Sequence, residues 1–272
     1  MSQLKTLGEV LTLERIDEDR FRGASLEGGP PRIYGGQVVA QAMMAMNATI
    51  DRWPCHSQHC YYVRPGDPAV PLDFVVERVR DGGSFATRHV SVMQADKQIC
   101  TLIGSFQAPE AGLDRQREMP KAPPLEGMAD RGRGASGLQG ALDVRLADEF
   151  VTPDAGPPVY HAWMRARAPL GDDQRLHQAV LAFGSDWALL GAAMRPHGVH
   201  WRTPGMQAAS LDHTVWFHRA TDFNRWHLFT LDSPWAGSGR GLVLGALYRE
   251  DGTLVASFAQ EGLIRVRAPK PE

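Results

Sequence analysis

A chain of 272 residues, 43% of them hydrophobic, can form one large domain or two compact ones of about 120–130 residues, each able to bury a core. A formal net charge of −2 with 22% charged residues leaves no basic excess, which argues against nucleic acid or an anionic membrane surface as the main partner. Apolar runs stop well short of the ~18 residues that a membrane span needs, so no integral membrane association is expected, and three cysteines give no disulfide framework. The N-terminal stretch lacks the apolar core of a signal peptide, and the final Pro269-Lys270-Pro271-Glu272 lacks a tripeptide peroxisomal address. The expected compartment is a reducing cytoplasm.

The first strong element opens at Gly35-Gly36-Gln37 and continues through residue 46. It is rich in Ala, Val and Met and apolar around nearly its whole circumference, which predicts a buried helix. Strand-like runs follow at 56–63, 72–79, 88–93 and 99–107, separated by Arg64-Pro65-Gly66-Asp67, Asp81-Gly82-Gly83 and Ala95-Asp96. From about residue 108 to 140, Pro and Gly recur without hydrophobic periodicity, which predicts a linker over the surface. The same order then returns: a strand at 159–167, one long apolar helix at 174–194, and strands at 208–218, 226–231, 241–249 and 254–267, with Asp251-Gly252 as a hairpin signal. A buried helix followed by an antiparallel meander, twice over, predicts an α+β fold.

Small landmarks recur as well. Arg64 and Arg219 each close the first long strand after a helix, Arg88 precedes Ser105-Phe106 by the same 17 residues that separate Arg240 from Ser257-Phe258, and Gln107 and Gln260 follow. The ordered set suggests an internal repeat: two helix-on-sheet units side by side with a site between them. The expected division is an N-terminal repeat at 1–111, a linker at 112–139 and a C-terminal repeat at 140–272.

Some motifs mislead. Gly132-Arg133-Gly134-Ala135-Ser136-Gly137 matches a dinucleotide loop, but a Pro-rich stretch precedes it where a strand is needed. The G-x-S-x-G elbow of serine hydrolases is absent. Cys55-His56-Ser57-Gln58-His59-Cys60 looks metal-like, yet strand alternation puts Cys55 with His59 and His56 with Cys60, too few ligands on either face for zinc. A cysteine–histidine nucleophile there lacks supporting context.

Other residues carry chemistry more directly. Asp186 falls inside the most apolar helix of the second half, where a carboxylate must be paired, hydrogen-bonded or turned to a cleft. It either bonds nearby backbone or arginine, or it orients and deprotonates a water. Ser210 and Asp212 share one face of a strand-like run, and Gln260 lies in the last one. Each alone is commonly structural, but Asp186, Ser210 and Gln260 together could hold one water. The Gly35-Gly36-Gln37 opening is either a plain tight helix start or a set of N–H groups that a substrate carbonyl can approach.

At this point the sequence resembles the acyl-CoA thioesterase II (TesB-type) family, over nearly its whole length. The anchors are Phe21-Arg22-Gly23, the run from Gly35 to Ala42, Arg64-Pro65-Gly66-Asp67, the run from Ser105 to Glu110, Gly184-Ser185-Asp186, the run from Leu211 to Arg219 and Gln260-Glu261-Gly262. The resemblance implies a double hotdog fold, two antiparallel sheets each wrapped around a long central helix and joined into one extended sheet. It implies a fatty acyl-CoA substrate hydrolysed to free fatty acid and CoA, and catalytic Asp186, Ser210 and Gln260 activating a water. Gly35, Gly36 and Gln37 are expected to bind substrate. Asp212 and His213 are expected to support rather than react. No metal or redox cofactor is expected, and a homodimer or homotetramer is. The competing readings are a non-catalytic acyl-CoA- or lipid-binding protein and a hotdog hydratase or dehydratase. The second needs a His–Asp pair beside the helix start, and none is seen there.

Overall fold

The computed structural model describes residues 6–26, 31–126, 128, 140–148 and 154–267. The first half runs α1 (Leu7–Leu11), β1 (Glu14–Asp17), β2 (Arg20–Gly23), α2 (Gly35–Asn47), β3 (Cys55–Tyr62), β4 (Leu72–Asp81), β5 (Phe85–Gln94) and β6 (Lys97–Gln107). The second runs β7 (Leu142–Leu146), β8 (Val159–Ala166), α3 (Gln174–Ser185), α4 (Leu190–Met194), a 3₁₀ turn at Arg195–His197, β9 (Met206–Ser210), β10 (Asp212–Phe217), β11 (His227–Gly237), β12 (Arg240–Arg249) and β13 (Leu254–Val266).

All the strands form one antiparallel sheet, ordered β1-β2-β4-β5-β6-β3-β10-β13-β12-β11-β8-β7, with β9 also on β13. The order β4-β5-β6-β3 is mirrored by β11-β12-β13-β10, and β3 pairs with β10 at the seam from Asp212↔Tyr61 to Trp216↔Ser57. Alternation explains the half-buried strands: β5 buries every second residue, Ala86 through Gln94. Helix α2 is buried all round except at Gly35 and Met44, because β2–β6 lie on one side and α3 on another. One buried core spans both halves.

Several sequence expectations change. The predicted helix at 174–194 is two, because α3 stops at Ser185 with Asp186 as its C-cap, and Ala188 adopts a left-handed φ of 55° before α4 begins. An L-residue there costs roughly 1 kcal/mol or more, strain of the kind kept at functional sites. The predicted strand at 208–218 breaks at Leu211 into β9 and β10. In β3, a register shift between Cys55 and Ser57 turns Cys55 into the core while His59 stays exposed, so they do not share a face as simple alternation predicts. His56 and His59 bond the hydroxyls of Ser105 and Thr214.

The repeat landmarks divide. Arg64 donates to Gln98 O and Arg219 to Leu254 O, so both tie the end of one strand to the start of the neighbouring last strand of their half. The 17-residue spacing is a coincidence of sequence: Arg88 lies opposite Gly104, whereas Arg240 lies opposite Leu263. Arg88 is buried and bonded to Thr49 and Asp81, while Arg240 pairs with Glu261 near the surface. The described part of the stretch after β6 has no helix or strand before residue 125, and Met119, Ala122, Leu125 and Met128 pack on Trp163, Leu228 and Tyr248. The glycine-rich 132–137 motif lies outside the described residues.

Candidate active site

Asp186 sits where α3 ends, and the end is fixed by its neighbour. Ser185 Oγ donates to Ala182 O at 2.9 Å and lies 2.8 Å from His213 Nε2 on β10. With the hydroxyl proton on Ala182, the imidazole N–H donates to Oγ. Burial pushes the His213 pKa down to about 3, so the ring is neutral. Asp212, beside it, accepts Glu261 N–H at 2.6 Å and replaces the ladder bond lost at the β9–β10 break. Both side chains are thus engaged with the elements that flank Asp186.

The Asp186 side chain is buried, and it points to the start of α2. Gln260 Nε2, on β13, donates to Oδ1 at 2.7 Å, and Gly36 N–H donates to the carboxylate. Helix α2 has no side-chain cap of its own from Tyr34, so the carboxylate of the other half takes a cap's place at the positive end of the helix. Burial is the larger influence and raises the Asp186 pKa to about 7, against the Gln260 and Gly36 hydrogen bonds that hold it down. A carboxylate has about four acceptor positions, so two protein donors leave room for a water.

Two glycines make this approach possible. A Cβ on Gly36 would lie 2.4 Å from Phe183 O, and a Cβ on Gly35 would lie 2.8 Å from Asp186 Oδ2 and 2.7 Å from Tyr62 Oη. No other residue fits without moving the helix start or the carboxylate.

Ser210 closes β9 and lies opposite Gly262 on β13. Opposed residues share a face, and Gly262 shares a face with Gln260, so the Ser210 hydroxyl is on the side of the sheet that carries Gln260. Among the described residues no hydrogen bond links Ser210 to Asp186 or Gln260. Gln37 departs from the expected binding role. Its side chain accepts Leu26 N–H at 3.0 Å and donates to Gln41 at 3.1 Å, and its own N–H goes to Tyr34 O, so most of its polar groups are spent on holding the α2 start in place. Gly36 also differs from the expectation of a free N–H, since Asp186 takes it. Tyr34, which sequence reasoning did not single out, donates to Phe183 O at 2.9 Å and tethers the α2 start to α3.

Among the described residues no cluster of His, Cys, Asp or Glu is arranged to hold a metal ion, and no helix is long and apolar enough to cross a membrane. An open hollow of about 500 Å³, lined by Arg225, Trp226, Arg249 and Asp251 among others, lies beside Gln174 at the other end of α3. The 12 residues of α3 put roughly 18 Å between that end and Asp186, so the hollow is not where the carboxylate works.

The arrangement combines a buried carboxylate poised near neutrality, an amide donor and a glycine helix start. It suits water-mediated attack on a carbonyl. Residues 145–263 match the family model described as acyl-CoA thioesterase, and residues 26–107 match the acyl-CoA thioesterase N-terminal domain. Human acyl-coenzyme A thioesterase 8 is 38% identical over 95% of this chain and 88% of its own length. The crystal structure of the acyl-CoA thioesterase II TesB2 from Mycobacterium marinum superposes with a TM-score of 0.84 at 37% identity, covering 97% of this chain and 99% of that one. A hotdog-fold protein of unknown function from Alicyclobacillus acidocaldarius, only 19% identical, shares the fold at a TM-score of 0.80 over 97% of this chain and 98% of its own. The chain belongs to the acyl-CoA thioesterase family, and it is a hotdog-fold thioester hydrolase of fatty acyl-CoA.

Proposed function

We propose that hydrolysis proceeds by direct attack of a water held by Asp186, Ser210 and Gln260, with the thioester carbonyl lying against the Gly35-Gly36 start of α2. The observation that carries this is the contact of Asp186 with Gln260 and Gly36, which joins the two halves of the chain around one carboxylate. Ionised Asp186 takes a proton from the water as its oxygen bonds to the carbonyl carbon. The carbonyl oxygen becomes an anion, the adduct collapses by breaking the C–S bond, and the CoA thiolate leaves and takes up a proton. Gln260 fixes the carboxylate through its amide, and the Ser210 hydroxyl orients the water from the same side of the sheet. The products are free fatty acid and CoA.

The same reading takes each half as a hotdog unit wrapped around its own helix, with boundaries at 1–111, 112–139 and 140–272. Three buried free cysteines fit a reducing compartment, which we assign as the cytoplasm, and a homodimer or homotetramer is the proposed assembly. Thiol release from acyl-CoAs of graded chain length is the direct test. Asp186→Asn is expected to lower kcat by at least ~10²-fold, and Ser210→Ala by ~10-fold or more with Ser210→Thr retaining most turnover. Wild-type turnover in Asp186→Asn would end the assignment.

A further inference from the structure

Tyr62 ends β3 at the seam between the halves, and its N–H donates to Leu211 O at 2.9 Å. That pins it beside the β9–β10 break, next to Ser210. The ring is half-buried, but its hydroxyl is fully buried and has no hydrogen-bond partner among the described residues. Both Tyr62 Oη, at 2.7 Å, and Asp186 Oδ2, at 2.8 Å, crowd the point where a Gly35 Cβ would stand, so they are no farther apart than the sum of those distances. Burial, then the Asp186 charge, hold the phenol well above its ordinary pKa, so it stays a protonated donor. The Cys60 sulfur also faces the phenol and draws on its O–H, but no well-formed hydrogen bond joins the two, and a thiol is a weak acceptor. The other phenol at the α2 start, Tyr34, is already committed to Phe183 O. Leaving a buried hydroxyl unpaired is unfavourable, so an acceptor is expected to arrive with the substrate. With Gly36 N–H given to Asp186, the helix start also has one donor fewer for a carbonyl.

We propose that Tyr62 is a further catalytic residue of this site: its hydroxyl donates to the thioester carbonyl oxygen and keeps that bond as the oxygen becomes the anion of the tetrahedral adduct. The inference rests on the Asp186 reading and extends it to the first half of the chain. No covalent step is added, since the phenol keeps its proton throughout.

The test is Tyr62→Phe, compared with wild type and Asp186→Asn in acyl-CoA hydrolysis across pH, with Tm measured alongside. The expected result is a fall of ~10²-fold or more in kcat and in kcat/KM together, as for loss of one oxyanion donor, with the acid limb of the profile unmoved. Tm should be unchanged or slightly higher, because the phenyl ring still fills the space and the unpaired hydroxyl is gone. A kcat within twofold of wild type overturns the inference. So does a profile whose only change is an acid limb moved to higher pH, which would mean that the phenol bonds the Asp186 carboxylate instead. A lower Tm with intact kcat assigns a structural role and also overturns it. If Asp186→Asn keeps wild-type turnover, the reading of the site has failed. If Asp186→Asn is inactive while Tyr62→Phe is fully active, only this inference has.

Discussion

Replacing Asp186 with Asn should separate the stability of the fold from its chemistry. The Asp186 pKa is raised from 3.8 to about 7, so the folded state holds a proton there more tightly than the unfolded chain does. The contribution is fully present below the unfolded value and is lost as pH rises through the folded one. Above pH 5 the unfolded carboxyl is ionised while the folded one stays mostly protonated until pH nears 7, so stability falls by ~1.4 kcal/mol per pH unit at first and by roughly 2.3 kcal/mol between pH 5 and pH 7. Asn has the same shape, keeps an acceptor for Gln260 and carries no charge. Its amide faces Gly36 N–H, donor to donor, which lowers stability by ~1–3 kcal/mol, but equally at every pH. Neighbouring groups do not confuse the window: Tyr34, Tyr62 and Cys60 are held above their ordinary values, and His213 is neutral above about 3. Urea denaturation at pH 5, 6, 7 and 8 should therefore show wild type losing ~2–3 kcal/mol relative to Asp186→Asn across that range. Parallel pH dependences would refute the reasoning, because Asp186 would then ionise like an exposed carboxylate.

Further outcomes follow from the same contacts. If ionised Asp186 is the base, kcat/KM should rise with pH through an apparent pKa near 7, and Gln260→Leu, which removes a bond that favours the ionised form, should move that limb to higher pH as well as lowering its plateau. A pH–rate profile that stays in place in Gln260→Leu would contradict the hydrogen bond. Gly36→Ala must move either the α2 start or the α3 end, given a Cβ 2.4 Å from Phe183 O, and should lower Tm and abolish turnover together. Gly35→Ala meets side-chain oxygens that can swing aside, so thermal melts should show a smaller loss of stability, and thiol release a loss of kcat out of proportion to it.

How much of this was legible depended on whether the signal was local. The buried α2, the meander strands and the polar residues Asp186 and Gln260 in apolar surroundings show in periodicity and composition. The break after Ser185 did not, because apolar periodicity continues through Trp187, Leu189 and Leu190; only the small, polar Gly184-Ser185-Asp186 hinted at it. β1 is exposed at every position and β2 is four residues long, so neither carries a period worth reading. α1 could have been found: Thr6 and Glu9 form a capping box ahead of Leu7, Val10 and Leu11, a pattern visible in the sequence. Tyr62 could not, since an unpaired hydroxyl is a property of packing. That Gly36 N–H is given to Asp186 is likewise tertiary, a meeting of residues 150 positions apart.

The antiparallel packing of α2 and α3 creates two places where the start of one helix meets the end of the other. At one, Gly35-Gly36 faces Asp186. At its counterpart, α3 is capped by its own Asp173, α2 ends on Ala48, and Arg175 reaches across to the carbonyls of Asn47 and Asp51. A cation stapled to carbonyl oxygens stands where a free carboxylate would have to be. The two junctions therefore differ in chemistry while the strand order of the halves is matched, and on the proposed reading the chain has one centre for its two helices. On that reading, substitutions at Arg175 should change stability and leave turnover in place, whereas those at Gly36 should change both.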